Sequence, residues 1–378
     1  MDSILILSFW NPSKQSPNRG IFIHEQVDAI CKNYSGIVFL EVNILPSKSK
    51  LFQKEIVNGS LYANTLISIT IYSFLWKALY INPWFTFILL KKYLRTNYND
   101  LKLSLIHSNV IFPCGIVGHL LARHYRSKHI ISEHWSKAEN LLKHAVYGKI
   151  ALKAYKKSKA IICVSSFLAN KIKSATGHSN MIIIPNIIDT NLFHHIPKIT
   201  KPEEIRFSCC ATWKAPKRLD LIINGLLKFA SETNQRLILN VIGNGIQKEA
   251  FLHINLPENV AINWLGYIPK AEIARILNQT DVFLHASEIE TFSIVVAEAL
   301  STGTPVLASN KGALPELINA SNGILVENTL EAWIKGIRQI IKISYNHLTI
   351  SQNVFSKFSP ESVAQSIEKV YDDVLNNP

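Results

Sequence analysis

"DVFLHASEIETFSIVVAEALSTGTPVLAS", Asp281 to Ser309, reads as strand, loop, helix, stop and strand in one stretch. "DVFLHAS" is a short apolar strand, and Glu288 to Glu290 follow in the loop at its carboxyl end. Thr291 or Ser293 is placed to cap the helix behind them, Gly303 and Pro305 stop that helix, and "PVLAS" starts the next strand. Short, almost continuously apolar strands between amphipathic helices indicate a parallel sheet covered on both faces.

The same alternation runs outward in both directions. Upstream lie "SILILSFW", "IFIHEQVDAICKNY", "GIVFLEVNIL", "LSLIHSNV", "GIVGHLLARHY" and "KHIISEH". A polar, proline-bearing patch from His194 to Ile205 interrupts the pattern, which restarts with "IRFSCCAT", "LDLIINGLLKFA" and "RLILNVIG". The expected fold is therefore α/β, with two Rossmann-like doubly wound domains facing a central cleft. The predicted bounds are 1–196 for the first domain and 197–360 for the second, with 361–378 as a final helix.

At 378 residues, 48% hydrophobic and 18% charged, the chain can bury two sizeable cores. A net charge of +13 points to an anionic partner, or to a merely solvated basic surface. The basic residues are scattered without aromatic interleaving, so no nucleic-acid partner is expected. The five cysteines form no CxxC pair, which fits a reducing, cytoplasmic compartment. Ile56 to Trp76 carries no charge, but its Asn, Gly, Ser and Thr content makes a poor membrane span. It reads as loop plus buried strand. The helix expected near Pro83, "NPWFTFILLKKYLR", has the aromatic and lysine content of a segment resting on an anionic membrane surface.

Glu290 falls just ahead of a helix N-terminus and Glu298 about two turns into that helix. Unpaired N–H groups and partial positive charge at such an end suit a phosphate. Carboxylates on either side can accept hydrogen bonds from hydroxyls, the layout of a nucleotide sugar. A capping acid and a solvated helix acid fit the same spacing. Gly243 and Gly245 make only GxG, read as a structural turn. No DxD occurs and no zinc-ligand cluster appears, so no metal is expected.

"ETFSIVVAEALSTGTPVLAS" closely resembles the E-x7-E region of GT4-type retaining glycosyltransferases of the GT-B fold. "VIGNGIQKEAF", "NWLGYIPKAEIARILNQTDVFLHAS", "KGALPELI" and "SNGILV" resemble the flanking pattern in the expected order. The last helix resembles one that crosses back to the first domain. The resemblance implies that Glu298 binds ribose, that Glu290 contacts the donor sugar, and that amides of Phe292, Ser293 and Ile294 cradle a diphosphate. Ser293 stands where glycine is usual. Lys217 matches the family's phosphate-binding lysine, whereas its arginine falls on Thr212, leaving Lys214 or Arg218 to substitute. Gly266 and Tyr267 match the turn that meets the base. In the first domain Gly20 matches a phosphate-approaching loop and His134 a histidine that contacts sugar, with Glu133 and Arg19 as lesser candidates. The implied activity is retaining transfer from a nucleotide diphosphate sugar, UDP- or GDP-linked, with no further cofactor. The basic balance and the helix near Pro83 suit a glycan or lipid-linked acceptor in capsule, exopolysaccharide or lipopolysaccharide synthesis. A GT-B-fold epimerase or phosphorylase and a catalytically silent partner subunit are the rival readings.

Overall fold

Among the described residues fourteen strands form two sheets. The computed structural model of the protein describes residues 2–12, 19–99, 101–197 and 203–376. The first sheet contains β1 (Asp2–Ser8), β2 (Ile37–Pro46), β3 (Gln53–Leu61), β4 (Asn64–Ser73), β5 (Lys102–Asn109), β6 (Lys128–Glu133), β7 (Ala160–Cys163) and β8 (Met181–Ile183). Its order is β3-β4-β2-β1-β5-β6-β7-β8, parallel except where β3 returns against β4. The second contains β9 (Glu204–Cys210), β10 (Arg236–Ile242), β11 (Val260–Gly266), β12 (Val282–His285), β13 (Val306–Ser309) and β14 (Gly323–Val326), all parallel in the order β11-β10-β9-β12-β13-β14.

Each sheet belongs to its own compact unit. One comprises residues up to Ile187 together with Pro360 onward, and the other Ile188–Ser359. The division falls earlier than the expected 196/197 boundary because the chain is already committed to the second unit there. Phe193 is wholly buried, and its carbonyl accepts a hydrogen bond from Ser301 Oγ. Residues 198–202 of the predicted linker patch lie outside the described residues.

Strand order reverses between β1 and β5 in the first unit and between β9 and β12 in the second. Ligands in open α/β sheets bind at such reversals, beyond the carboxyl ends of the strands. The apolar strand runs dictate this burial: Ile4, Ile6, Leu105 and Ile130 pack one face of the first sheet, while Leu5, Leu7, Val38 and Ile106 pack the other. In the second unit Phe207, Leu239, Leu284 and Leu307 meet Trp333 and Ile337 of the helix Leu330–Ile340.

The final helix, Pro360–Asn376, lays Val363, Ile367, Val370 and Tyr371 into the first unit's core beside the helix Ile21–Asn33. Tyr371 OH lies 2.7 Å from His107 Nδ1 on β5, and Lys128 Nζ donates to the carbonyls of Val374 (2.9 Å) and Leu375 (3.2 Å).

The expected loop at Ile56 is instead strand β3, exposed along nearly all its length. Its hairpin with β4 turns at Tyr62 and Ala63, with Tyr62 at φ 55°. Among the described residues no helix is long and apolar enough to cross a membrane.

Candidate active site

In the second unit three loops meet at the carboxyl ends of β9 and β12. The loop after β9 carries Lys217, whose backbone bridges Ser287. Arg218 N–H donates to Ala286 O (3.1 Å) and Glu288 N–H to Pro216 O (2.9 Å), so the two loops are stitched together. The loop after β12 carries Glu290. A third loop, Lys311 to Ala313, closes from behind, where Ala313 N–H donates to Glu290 O (3.0 Å). Gly312 makes this possible: at φ 60°, a Cβ there would stand 2.2 Å from Glu290 O.

Lys217 Nζ donates to Glu290 Oε1, and His285 Nε2 lies 2.8 Å from the same oxygen. Burial first, and then Lys217, pushes the His285 imidazole down, so at neutral pH it is uncharged with Nε2–H toward Glu290. Burial alone would raise Glu290, but the His285 hydrogen bond and the Lys217 charge outweigh it and hold the carboxyl below its ordinary range. His285, 2% exposed, was legible in the sequence only as the end of an apolar strand.

The helix runs Ile294–Ser301, so Glu298 falls in its second turn, nearer the start than expected. Glu298 is 5% exposed, not a solvated helix acid. Burial, then the Glu298 charge, lifts the thiol of Cys210, at the end of β9, to about 12 against the pull of Lys217. Ser293 occupies the cap position, but its side chain does not cap the helix; Oγ lies 3.3 Å from His285 Nε2. Its φ of 79° is a conformation that favours glycine, consistent with the glycine usual at this point in the resemblance. No side-chain cap bond and no first-turn acid neutralise the N-terminus at Ile294, whose leading N–H groups are those a helix leaves without intrahelical partners. Phe292 is buried edge-on against Phe358 (5.5 Å, 84°) and anchors the turn.

Arg218, one of the two residues expected to stand in for the arginine missing at Thr212, is engaged by neighbouring acids. Its guanidinium holds Asp220 (2.8 Å) and Glu288 (2.6 Å). Thr212 and Lys214 are exposed on the same loop. Gly266 ends β11 at φ 64° and its carbonyl accepts from Gly243 N–H (2.6 Å). Tyr267 beside it is 64% exposed. Gly243 and Gly245 press against the backbone of Ala211 and Trp213, the structural turn expected of them.

In the first unit Gly20 precedes the helix Ile21–Asn33 at φ 67°, and a Cβ would stand 1.8 Å from Trp10 O. Residues 13–18, including Ser16 to Asn18 of the resembling loop, lie outside the described residues. Arg19 Nη2 donates to Tyr80 OH (3.1 Å). His134 follows β6 with its ring 4.5 Å from Phe22, and burial, partly offset by a hydrogen bond with Asn186, lowers it to about 4.

Glu133 is wholly buried and serves as a clamp. It accepts from the backbone N–H groups of Ile111 (3.0 Å), His134 (3.0 Å) and Trp135 (2.8 Å) and from Tyr155 OH (2.7 Å). Burial raises its carboxyl, and the four donors oppose that rise. The bond from Ile111 lies next to Val110, a β-branched residue at φ 66°, a conformation it would otherwise avoid, at the end of β5. Glu133→Ala should cost about 3 kcal/mol in urea unfolding, since it strips four buried donors of their acceptor. Glu133→Gln should recover only part of the loss, because its NH2 group faces donors. Midpoints within error of the wild type would show that the clamp is redundant.

Solved structures share this architecture over the whole chain. Sucrose-phosphate synthase from Thermosynechococcus elongatus aligns with TM-score 0.73 and 17% identity, covering 100% of both chains. Anabaena HepE in complex with UDP aligns with TM-score 0.70 and 16% identity, over 99% of this chain and 100% of that one. The fold is GT-B. Residues 195–373 match the model of glycosyl transferases group 1, and residues 27–192 that of glycosyltransferase family 4. The chain belongs to the GT4-type glycosyltransferases and is an enzyme of that class.

An uncharacterized glycosyltransferase of Methanocaldococcus jannaschii is 28% identical over 284 residues, 72% of this chain and 76% of that protein. A GDP-mannose-dependent alpha-(1-6)-phosphatidylinositol dimannoside mannosyltransferase of Mycobacterium tuberculosis is 25% identical over 201 residues, 50% of each. The chain thus spans about half the length of that second relative.

Proposed function

We propose that the protein transfers a sugar, with retention of anomeric configuration, from a UDP- or GDP-linked donor to a lipid-linked glycan acceptor used in cell-surface polysaccharide synthesis. One observation carries the donor half: a lysine, two acids and an uncapped helix N-terminus gather at the strand-order reversal of the second unit. UDP in HepE and GDP-mannose in the mycobacterial relative support a nucleoside diphosphate donor. The latter's phosphatidylinositol dimannoside acceptor supports a lipid-linked one.

In this reading the amides of Phe292, Ser293 and Ile294 and the Lys217 ammonium receive the diphosphate, with Lys214 as an outer cation. Glu298 takes the ribose hydroxyls, Tyr267 and Gly266 flank the base, and Glu290 orients the sugar. The bond from the anomeric carbon to the diphosphate oxygen breaks while the acceptor oxygen bonds to that carbon on the same face. The acceptor proton passes to the departing diphosphate. Charge grows on the leaving group, and fixed donors that meet it there lower the barrier. Gly20 of the first unit is assigned to the loop that approaches the diphosphate, and His134 to the sugar. No metal or further cofactor enters the scheme. The enzyme would work at the cytoplasmic face of the membrane.

Thermal shift against UDP, GDP and their sugars tests the donor assignment. One nucleoside diphosphate should raise the melting temperature, and Glu298→Gln should abolish most of that rise. Indifference to every nucleoside diphosphate, or an equal shift in Glu298→Gln, would overturn it.

A further inference from the structure

The carboxyl ends of β2 and β4 lie side by side, Pro46 paired with Ser73, and the strands run out into residues 47–52 and 74–75. Phe74 N–H donates to Lys50 O (2.9 Å) and Ser73 Oγ to Leu51 O (2.5 Å), which fixes the two exits as one tip. The tip is apolar where it meets solvent: Leu51 is 62% exposed, Phe74 54% and Ile88 62%, with Phe52, Leu75 and Trp84 also exposed. It is continuous, since Phe52 meets Phe85 edge-on at 6.0 Å. The helix Pro83–Asn97 buries Leu90, Tyr93 and Leu94, so Trp84 and Ile88 lie on its opposite, outer face. In the short helix Trp76–Tyr80 no residue is buried.

The surrounding charge has one sign. From Lys48 to Arg95 the chain carries seven lysines and arginines and one acid, Glu55. Lys48, Lys50, Lys54 and Lys77 are exposed, and the Lys77 ammonium stands 5.6 Å from the Trp76 ring centroid. A second copy of the chain would set these lysines against one another. An anionic lipid surface neutralises them while its acyl region takes the aromatic side chains.

We propose that this tip is the face through which the protein docks on an anionic bilayer. The inference deepens, and rests on, the reading of a lipid-linked acceptor. Within the first unit the tip adjoins the Gly20 loop at the carboxyl end of β1: Tyr80, at the end of the short helix, accepts from Arg19, which neighbours Gly20 and also donates to Phe9 O (3.5 Å). An acceptor held by its lipid would therefore reach the carboxyl end of β1 without leaving the membrane plane. Of the helix Pro83–Asn97, expected to rest on a membrane surface, Trp84 and Ile88 in the first turns belong to the tip.

Co-sedimentation with mixed phosphatidylglycerol–phosphatidylcholine vesicles, against phosphatidylcholine alone, tests the proposal. The wild type should bind the mixed vesicles only, and less as salt rises. At roughly 1 kcal/mol per basic residue near such a surface, loss of three lysines weakens binding about a hundredfold, and K48E/K50E/K77E, which also adds three repelled carboxylates, should weaken it by more than that. F74S/L75S should weaken it about tenfold, by loss of buried apolar surface. Both variants should keep the wild-type thermal shift with nucleoside diphosphate, which shows that they fold. Equal binding to phosphatidylcholine, or undiminished binding by the charge-reversed variant, would overturn the docking face. So would conversion of a dimer to a monomer by F74S/L75S with vesicle binding intact. A wild type that binds the vesicles yet uses only water-soluble acceptors would remove the lipid-linked acceptor and leave the docking face standing.

Discussion

Lys217→Ala should lower kcat by about two to three orders of magnitude, the loss expected when a fixed donor to a developing negative charge is removed. KM for the donor should change less, because the helix N-terminus and Glu298 remain. The substitution has a second effect on the acid it leaves behind. Glu290 is held low by a hydrogen bond from His285 and by the lysine charge. Without the lysine its carboxyl rises, so the acid limb of the pH–rate profile should move to higher pH. Lys214→Ala, on the exposed part of the same loop, should cost less than about tenfold. Turnover by Lys217→Ala within threefold of the wild type would make Lys217 a structural partner of Glu290 and nothing more.

Acidification from pH 7 to 5.5 should destabilise the protein by roughly 5 kcal/mol, about 1.2 kcal/mol for each of four buried histidines, read from urea midpoints at each pH. Four histidines of the first unit are held uncharged by burial: His107 and His129 are lowered to about 3, His119 and His134 to about 4. His107 lies between Tyr371 OH and Ser132 Oγ, both at 2.7 Å, and His129 Nε2 lies 2.9 Å from Ser108 Oγ. Unfolding frees each ring to bind a proton near pH 6.5. The unfolded chain therefore takes up more protons as pH falls through that value. Stability is full above it and is lost progressively down to the folded-state values near 4 and 3. His119→Asn should remove about one proton from the uptake on unfolding. Constant stability between pH 7 and 5.5 would mean that these rings are charged in the fold.

Much of the architecture was legible because continuous apolar runs such as "SILILS" and "DVFLH" leave a strand no choice but burial on both faces. The hairpin of β3 and β4 was not. Asn58 and Gly59, a common turn pair, lie in mid-strand, where Asn58 Oδ1 accepts from Tyr93 OH (2.9 Å) and Gly59 faces Leu66. The turn falls on Tyr62 and Ala63, which carry no local signal for it. At the site, the spacing of Glu290 and Glu298 around a helix start could be read, since helix ends announce themselves through Gly303 and Pro305. The roles of His285, Arg218 and Glu133 could not, because each depends on partners set by loops that meet only when the sheet forms.

The return of the last helix to the first unit has a bearing on how the protein is made. Val363, Ile367, Val370 and Tyr371 fill a cavity among strands translated hundreds of codons earlier. During synthesis the first unit therefore lacks part of its core until the residues after Ser359 are made, by which time the whole of the second unit has been translated.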